Sequence, residues 1–298
     1  MRALRVLKSR FIFLLFLFES YGLCAQLSTE IRLEAGRQTT NFDWSIAGNV
    51  AGVNPNILSE LIWKDLTGIS GKLYAQMALN DKWLIRSNIS YTSYITGQVE
   101  DTDYAADNRQ DITFFGKFDA ANSREVEFSF AGGYHFNLAK NIDLSTSIGF
   151  IKSWSLFTIQ EDVSDLDSWY DAQWYGALVE SRLSYSLNRW AFFVNCQYEQ
   201  LRYFAEANWN LRDDFAQPIS FDHTAKGYGY RISFQAAYTL STSMAVFATF
   251  ETMNRNSGKG VEHLYFSDGR LMKTQVNGIH HTRHYLGIGL KINFNSLS

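Results

Sequence analysis

Four aspartates fall within one short polar stretch, VEDTDYAADNRQD at residues 99–111. Asp101 and Asp103 lie two residues apart, so a β-strand through them would direct both carboxylates to one face. Such a pair can position a nucleophilic water, bind a cation or simply face solvent. A calcium loop of the EF-hand type is disfavoured, because Ala105 and Ala106 take the fifth and sixth positions, where that loop needs an oxygen ligand and a glycine.

Histidines cluster near the C-terminus, where His280, His281 and His284 follow His263. A metal site needs neutral imidazoles that converge from one side. His281 and His284 are three residues apart, which is out of phase for a strand. The sequence therefore indicates neither a metal site nor a bound cofactor.

The first residues indicate export. MRALRVLKSR carries four positive charges, FIFLLFLF is a short apolar core, and small residues precede a cleavage site after Ala25. This order is that of a signal peptide, residues 1–25, which leaves 26–298 as one domain. Lipidation at Cys24 is disfavoured because Leu23 is bulky where a small residue is needed. After cleavage Cys196 is the only cysteine, which excludes a disulfide within the mature chain.

Composition favours a membrane β-barrel over a soluble domain. The chain is 16% aromatic, has two prolines and carries a net charge of -3. A nearly neutral charge gives no indication of a nucleic-acid partner. An exported, aromatic-rich chain without an apolar run long enough for a helical span is typical of the outer membrane of Gram-negative bacteria.

Alternating apolar and polar residues predict strands with two different faces. In REVEFSFAGGYHFNL at 124–138 the even positions are mainly apolar and the odd positions mainly polar, and HYLGIGLKINF at 284–294 repeats the pattern. In a membrane barrel the apolar face meets lipid and the polar face lines the lumen. We predict ten strands, at 28–38, 59–80, 82–98, 124–138, 142–160, 170–187, 189–210, 222–240, 243–256 and 280–294.

The connections between these strands alternate in length. Short turns lie at 80–82, 139–141, 187–189 and 241–243, and long connections at 39–58, 99–123, 161–169, 211–221 and 257–279. Short periplasmic turns, long extracellular loops and an even strand count are the pattern of outer-membrane barrels. The sequence thus predicts an all-β, ten-stranded antiparallel transmembrane barrel, with 99–111 as a loop at its extracellular rim.

Charged residues of both signs are predicted inside the lumen. A ten-stranded barrel is narrow, and buried charges must pair or keep water. We therefore expect a lumen that is largely plugged and passes solutes weakly. The residues with lumen-facing phases are Arg86, Glu127, Glu180, Arg182, Glu199, Arg231 and Lys291.

Four segments resemble, in their order and spacing, those of the omptins, ten-stranded outer-membrane proteases with a catalytic groove at the extracellular mouth. LIWK (61–64) resembles the opening of the family's second strand, and DTDY (101–104) its Asp-x-Asp-aromatic motif. SIGFIKSWSLFTI (147–159) and GLKINF (289–294) resemble its fifth and last strands. The resemblance covers essentially the whole mature chain and implies the same barrel.

The omptin reaction, as the resemblance implies it, needs an Asp-x-His pair across the groove from the aspartate pair, whose histidine takes a proton from water. The matching positions here are Asn208 and Asn210, and an asparagine cannot act as a base. Asp222 and His223 are the nearest replacement, although neighbours on a strand point to opposite faces unless a turn intervenes. The candidate catalytic residues are Asp101, Asp103, Asp222 and His223.

The omptin motif for lipopolysaccharide, Tyr-x-Glu-x-Arg on the fifth strand, reads Phe150, Lys152 and Trp154 here. With both this motif and the Asp-x-His pair altered, we expect a non-enzymatic surface protein. It would bind an extracellular peptide or small molecule at its mouth, or pass small solutes weakly. The alternative is an omptin-type endopeptidase. The expected partners are outer-membrane lipids, with lipopolysaccharide among the candidates.

Overall fold

The computed structural model describes residues 28–161 and 165–295, which form twelve β-strands. The predicted signal peptide, residues 1–25, lies outside the described residues. No helix in the described part of the chain is long and apolar enough to cross a membrane. The strands are β1 (Ser28–Ile46), β2 (Ser59–Ala78), β3 (Trp83–Ala106), β4 (Gln110–Asp119), β5 (Arg124–Ala139), β6 (Ile142–Gln160), β7 (Asp167–Leu187), β8 (Trp190–Asn208), β9 (Phe221–Thr239), β10 (Met244–Ser257), β11 (Gly260–Tyr265) and β12 (Leu271–Asn295).

Ten of these strands close into an antiparallel ring. Each of β1, β2, β3, β5, β6, β7, β8, β9, β10 and β12 pairs with the next, and β12 pairs with β1 from Ser28↔Asn295 to Ile46↔Val276. A closed ring leaves no unpaired main chain at the level of the lipid. The predicted ten-stranded antiparallel barrel is confirmed.

Three predicted loops are wrong in part, because strands extend into them beyond the predicted strand ends. The connection 99–123 is a hairpin in which β3 runs on to Ala106 and returns as β4. The connection 257–279 contains β11, which pairs with β9 and β12. The connection 39–58 is shorter than predicted, since β1 runs to Ile46. Above the lipid both faces of a strand can be polar, so the alternation of apolar and polar residues, from which the strands are predicted, disappears there.

The two faces of the barrel follow the predicted phases. Large apolar side chains such as Phe128 (39% exposed) and Ile288 (73% exposed) point outward in the middle of the wall. The seven charged side chains predicted for the lumen all point inward. Among them, Arg86 pairs with Glu180 at 3.1 Å.

An ionic cluster fills the middle of the lumen. Arg255 lies 2.8 Å from Glu127 and 2.7 Å from Glu199, and all three side chains are buried. Arg231 and Arg283 also contact Glu127, at 2.6 and 3.2 Å. Since each of these buried charges has a partner of opposite sign, the cluster can exclude water and obstruct the lumen.

An aromatic layer covers this cluster on the side of the long loops. Phe42 stacks on Phe157 with ring centroids 4.3 Å apart, and Trp63 and Tyr170 complete the layer. All four rings are almost without exposed surface. The layer separates the charged interior from the mouth, where Trp44 lies against Tyr170.

Candidate functional site

A cavity of about 870 Å³ lies at the long-loop end of the barrel, above the aromatic layer. Its walls are mostly apolar, from Trp44 and Leu61 at the floor to Phe114, Phe215 and Phe266 at the rim. Polar groups reach it at few places: Ser59, the aspartate pair of β3, Thr113, Glu161, Ser168, Glu262, and Arg212 with Asp214. A concave apolar site with a few convergent polar groups is the usual form of a ligand pocket.

Asp101 and Asp103 both line this cavity, as their spacing predicts. They lie on β3 between two neighbouring strands, where Asp101 pairs with Leu61 of β2 and with Gly116 of β4. Burial raises the pKa of Asp101 to about 7, and the nearby charge of Asp103 adds to this effect. Arg212 opposes it. The pair therefore includes one carboxyl, that of Asp101, which is readily protonated near neutral pH.

The rim facing this pair is the connection 209–220. Arg212 donates from Nε and Nη2 to the two carboxylate oxygens of Asp214, both at 2.9 Å. Asn208 donates to the Pro218 carbonyl at 2.8 Å, and Asn210 donates to the Asp165 carbonyl at 2.6 Å. The two asparagines thus brace rim connections and do not form a second catalytic pair.

Asp222 and His223 point to opposite faces of β9, as neighbours on a strand do. The Asp222 carboxylate lies on the outer face, 2.9 Å from Nδ1 of His263, and accepts a hydrogen bond from the hydroxyl of Tyr265. His223 points inward and has no exposed surface. The structure therefore does not bring Asp222 and His223 together as one pair.

His223 has another carboxylate partner, which the sequence did not indicate. Its Nε2 lies 3.2 Å from Oε1 of Glu262 on β11, and its Nδ1 lies 2.8 Å from the hydroxyl of Tyr170. Thr274 donates to the other oxygen of Glu262 at 2.6 Å. When the imidazole is neutral, Nε2 donates to Glu262 and Tyr170 donates to Nδ1, so both ring nitrogens are occupied. The pair is evident only from the pairing of β11 with β9, in which Glu262 lies opposite His223. The sequence does not predict β11, so it does not predict this pair.

The remaining histidines are directed to different places. His281 points into the lumen, with Nε2 2.9 Å from Glu125, whereas His280 lies outside with Nδ1 2.6 Å from Asp43. Within residues 28–161 and 165–295 no group of three or more side chains is arranged to hold a metal ion.

Two residues at the altered lipopolysaccharide motif are in contact with each other on the outer wall. The ammonium of Lys152 lies 4.6 Å from the ring centre of Trp154.

Solved structures resemble this barrel at low sequence identity. The outer-membrane protease OmpT from Escherichia coli superposes with a TM-score of 0.73 at 14% identity, over 93% of this chain and 99% of that chain. The outer-membrane protein OprG from Pseudomonas aeruginosa gives a TM-score of 0.41 at 12% identity, over 90% of this chain and 98% of that one. At these identities the likeness to OmpT establishes the fold alone. No curated protein sequence matches the chain.

The family comparison is more specific than these superpositions. A family model described as "Pom: Protochlamydia outer membrane protein" matches residues 32–296, which is nearly the whole barrel. This match agrees with the closed ring and its outward apolar band, and it places the protein in the bacterial outer membrane. The chain belongs to the Protochlamydia outer membrane protein (Pom) family.

Proposed function

We propose that this protein is a non-enzymatic surface protein that binds a ligand in the cavity at its extracellular mouth. The cavity itself carries the proposal, because about 870 Å³ of mostly apolar space lies at the rim. A space of this size accommodates a small organic molecule or several side chains of a peptide. The ligand would remain at the mouth, because the aromatic layer and the ionic cluster obstruct the lumen beneath it.

The polar groups of the site favour binding over catalysis. A general base needs a free nitrogen within reach of the water that it deprotonates. His223 is buried, and its two ring nitrogens already face Tyr170 and Glu262. The omptin-like positions of the Asp-x-His pair hold Asn208 and Asn210, whose amides are engaged in the rim.

A panel of small neutral, cationic and anionic aromatic dyes would test the proposal. Fluorescence titration of amphipol-solubilised protein should give saturable binding of at least one dye. Leu264→Trp, at a partly buried position on the cavity wall, should weaken that binding about tenfold by filling the space. Leu240→Trp is the matched control, because Leu240 is exposed beyond the end of β9 at the opposite rim. Equal binding by both variants and the wild type, or no binding at all, would contradict the proposal.

The second candidate is an omptin-type endopeptidase. Two observations favour it: Asp101 and Asp103 share the cavity wall, and the His223–Glu262 pair supplies an imidazole with an orienting carboxylate. In this scheme the aspartate pair would position a water and His223 would accept its proton. The scheme requires Tyr170 to release Nδ1 of His223 when substrate binds. Asp222, which belongs to the predicted catalytic set, lies on the outer face of β9 beside His263 and takes no part in this scheme.

A further inference from the structure

The β3–β4 hairpin is held rigidly at its tip. Arg109 donates from Nε and Nη2 to the carboxylate of Glu60 on β2, at 2.9–3.0 Å. The main-chain N–H of Asn56 donates to Asp107 at 2.7 Å, and the N–H of Asn108 donates to Asn56 at 2.8 Å. These contacts fix the hairpin against the β2 side of the rim, so its conformation is set before any partner arrives.

The opposite side of the hairpin is open. Within the described residues, β4 pairs with β6 only at Asp119↔Gln160, whereas its other edge pairs with β3 along its length. From Phe114 to Phe118, on one side of a bulge at Thr113, the open edge therefore presents main-chain N–H and C=O groups in the regular alternation of a strand. Groups of this kind are a template for one further strand.

Apolar side chains accompany this open edge in a region that lipid does not cover. Ile112 is 61% exposed, Phe115 60% and Phe114 44%. On β3 the exposed apolar side chains of the wall end at Ile95, three residues before the part of the strand that pairs with β4. Natural edge strands are usually protected by charges, proline or bulges. β4 has Lys117 and the bulge at Thr113, yet the exposed apolar side chains on both sides of the bulge still mark a binding surface.

We propose that the open edge of β4 binds an extended polypeptide segment as an added strand. Only a polypeptide main chain offers the alternating donors and acceptors that complete this ladder. Alternate side chains of the segment would point inward beside Phe114 and Phe118, which line the mouth cavity. The aspartate pair and Glu161 make the charge there mainly negative, so the inward side chains are expected to be apolar or basic. This inference rests on the proposed function and names its ligand class.

A second copy of the chain is a poorer occupant for this edge. Copies in one membrane share an orientation, so their β4 strands run in the same direction. Two such strands could meet at their open edges only as a parallel pair, which is slightly less stable per residue than an antiparallel pair, whereas a free segment can pair in either direction. The edge therefore suits a segment of a different chain from outside the cell.

The test begins with selection of random twelve-residue peptides, displayed on phage, against the protein in nanodiscs. Selected peptides are then synthesised with single N-methyl groups at successive positions. If a peptide adds as a strand, methylation at every second residue removes a hydrogen bond to β4 and weakens binding about fivefold, whereas the intervening positions tolerate it. Phe115→Lys should weaken binding, and Val50→Lys, at a 63% exposed position on another rim connection, should not.

Three outcomes would overturn the inference. Peptide binding without the alternating effect of methylation would mean recognition by side chains alone. Failure to select any peptide, while an aromatic dye still binds the cavity, would reject strand addition but leave the proposed function in place; loss of both would reject both. Disulfide-linked dimers of Phe115→Cys in a Cys196→Ser background would show that a second copy occupies the edge.

Discussion

Arg255 donates a hydrogen bond from Nε to Oε2 of Glu199 at 2.7 Å, and neither side chain has any exposed surface. The same guanidinium reaches Ser153 and Glu127, both at 2.8 Å. One arginine thus neutralises two carboxylates from β5 and β8 at the centre of the lumen. The cluster ties opposite walls of the barrel together as well as obstructing it.

Replacing Arg255 should therefore destabilise the barrel strongly. Arg255→Met leaves Glu127 and Glu199 buried with less compensation, and breaking a buried ion pair costs roughly 3–5 kcal/mol. The free energy of unfolding would be measured by guanidinium titration in lipid vesicles. Arg212→Met is the control, since its pair with Asp214 is about half exposed and should contribute about 0–1 kcal/mol. Equal losses in the two variants would mean that the cluster is not the stabilising element.

Conductance is the second property that the cluster determines. Purified protein in planar bilayers should show small or no conductance, because ions would have to pass both the paired charges and the aromatic layer. The measurement is single-channel recording over a range of voltages. Large, stable steps of the kind that wide porins give would contradict a plugged lumen.

The outward apolar band leads to a third prediction, on assembly in the membrane. Phe128→Arg should impair assembly, costing roughly 2–4 kcal/mol if the residue lies near the bilayer midplane. Phe115→Arg is a matched control, because Phe115 is also an exposed phenylalanine but lies on β4, above the band. The readout is the heat-modifiable shift of the folded barrel on gels. If Phe115→Arg fails to assemble whereas Phe128→Arg assembles normally, the placement of the membrane on the wall is wrong.

The alternation of apolar and polar residues is sufficient to predict the ten strands of the ring, but not the structure of the long-loop rim. Within the membrane, Phe128 faces lipid and Glu127 faces the lumen. This contrast shows directly which residues of β5 point inward. On β10 the phase is less clear, because Phe247 is buried on the lumen side and apolar residues occupy both faces. The pattern therefore does not identify Arg255 as a lumen residue. At the rim both faces of a strand are polar or both are apolar, so the pattern predicts a loop where β4 lies.

The candidate site was predictable only in its local part. Asp101 and Asp103 share a face because they are two residues apart on one strand, which is a local property. The partner of His223 depends instead on the pairing of β9 with β11, and Glu262 lies 39 residues away in the chain. No local pattern specifies such a pairing, because it is set by how the rim connections fold over the cavity.

Asp101 provides the fourth prediction, a titration near neutral pH. Its carboxyl should titrate at a pKa of about 7, because it is buried beside Asp103. Asp103→Asn should lower this pKa and Arg212→Ala should raise it, since these two neighbours act in opposite directions. The titration would be followed by NMR of ¹³C-labelled aspartate. Shifts of the same sign in the two variants would contradict the assignment.

The same pKa has a consequence for stability. An unfolded chain ionises aspartate near pH 3.9, whereas the folded protein keeps Asp101 protonated to about pH 7. The contribution of this group to the free energy of unfolding is therefore highest below pH 4, falls as the pH rises to about 7 and is constant above that. Asp101→Asn should accordingly make the protein more stable than the wild type at pH 8 but not at pH 4.

Proteolysis is the last prediction, and it separates the two candidate functions. Purified protein supplemented with lipopolysaccharide would be incubated with a mixed peptide library, beside Asp101→Ala, Asp103→Ala, Asp222→Ala and His223→Ala variants. We expect no turnover above background in any of them, because His223 is buried with both nitrogens occupied and Asn208 and Asn210 hold the rim. Loss of a true catalytic base typically lowers the rate about 10²–10⁴-fold, so a real activity would separate wild type from His223→Ala clearly. Cleavage that disappears in the Asp101 and His223 variants but persists in Asp222→Ala would establish an endopeptidase that uses the His223–Glu262 pair. Equal cleavage by the wild type and all four variants would instead come from a contaminating protease, because an active site in this cavity would lose activity in at least one of the four variants.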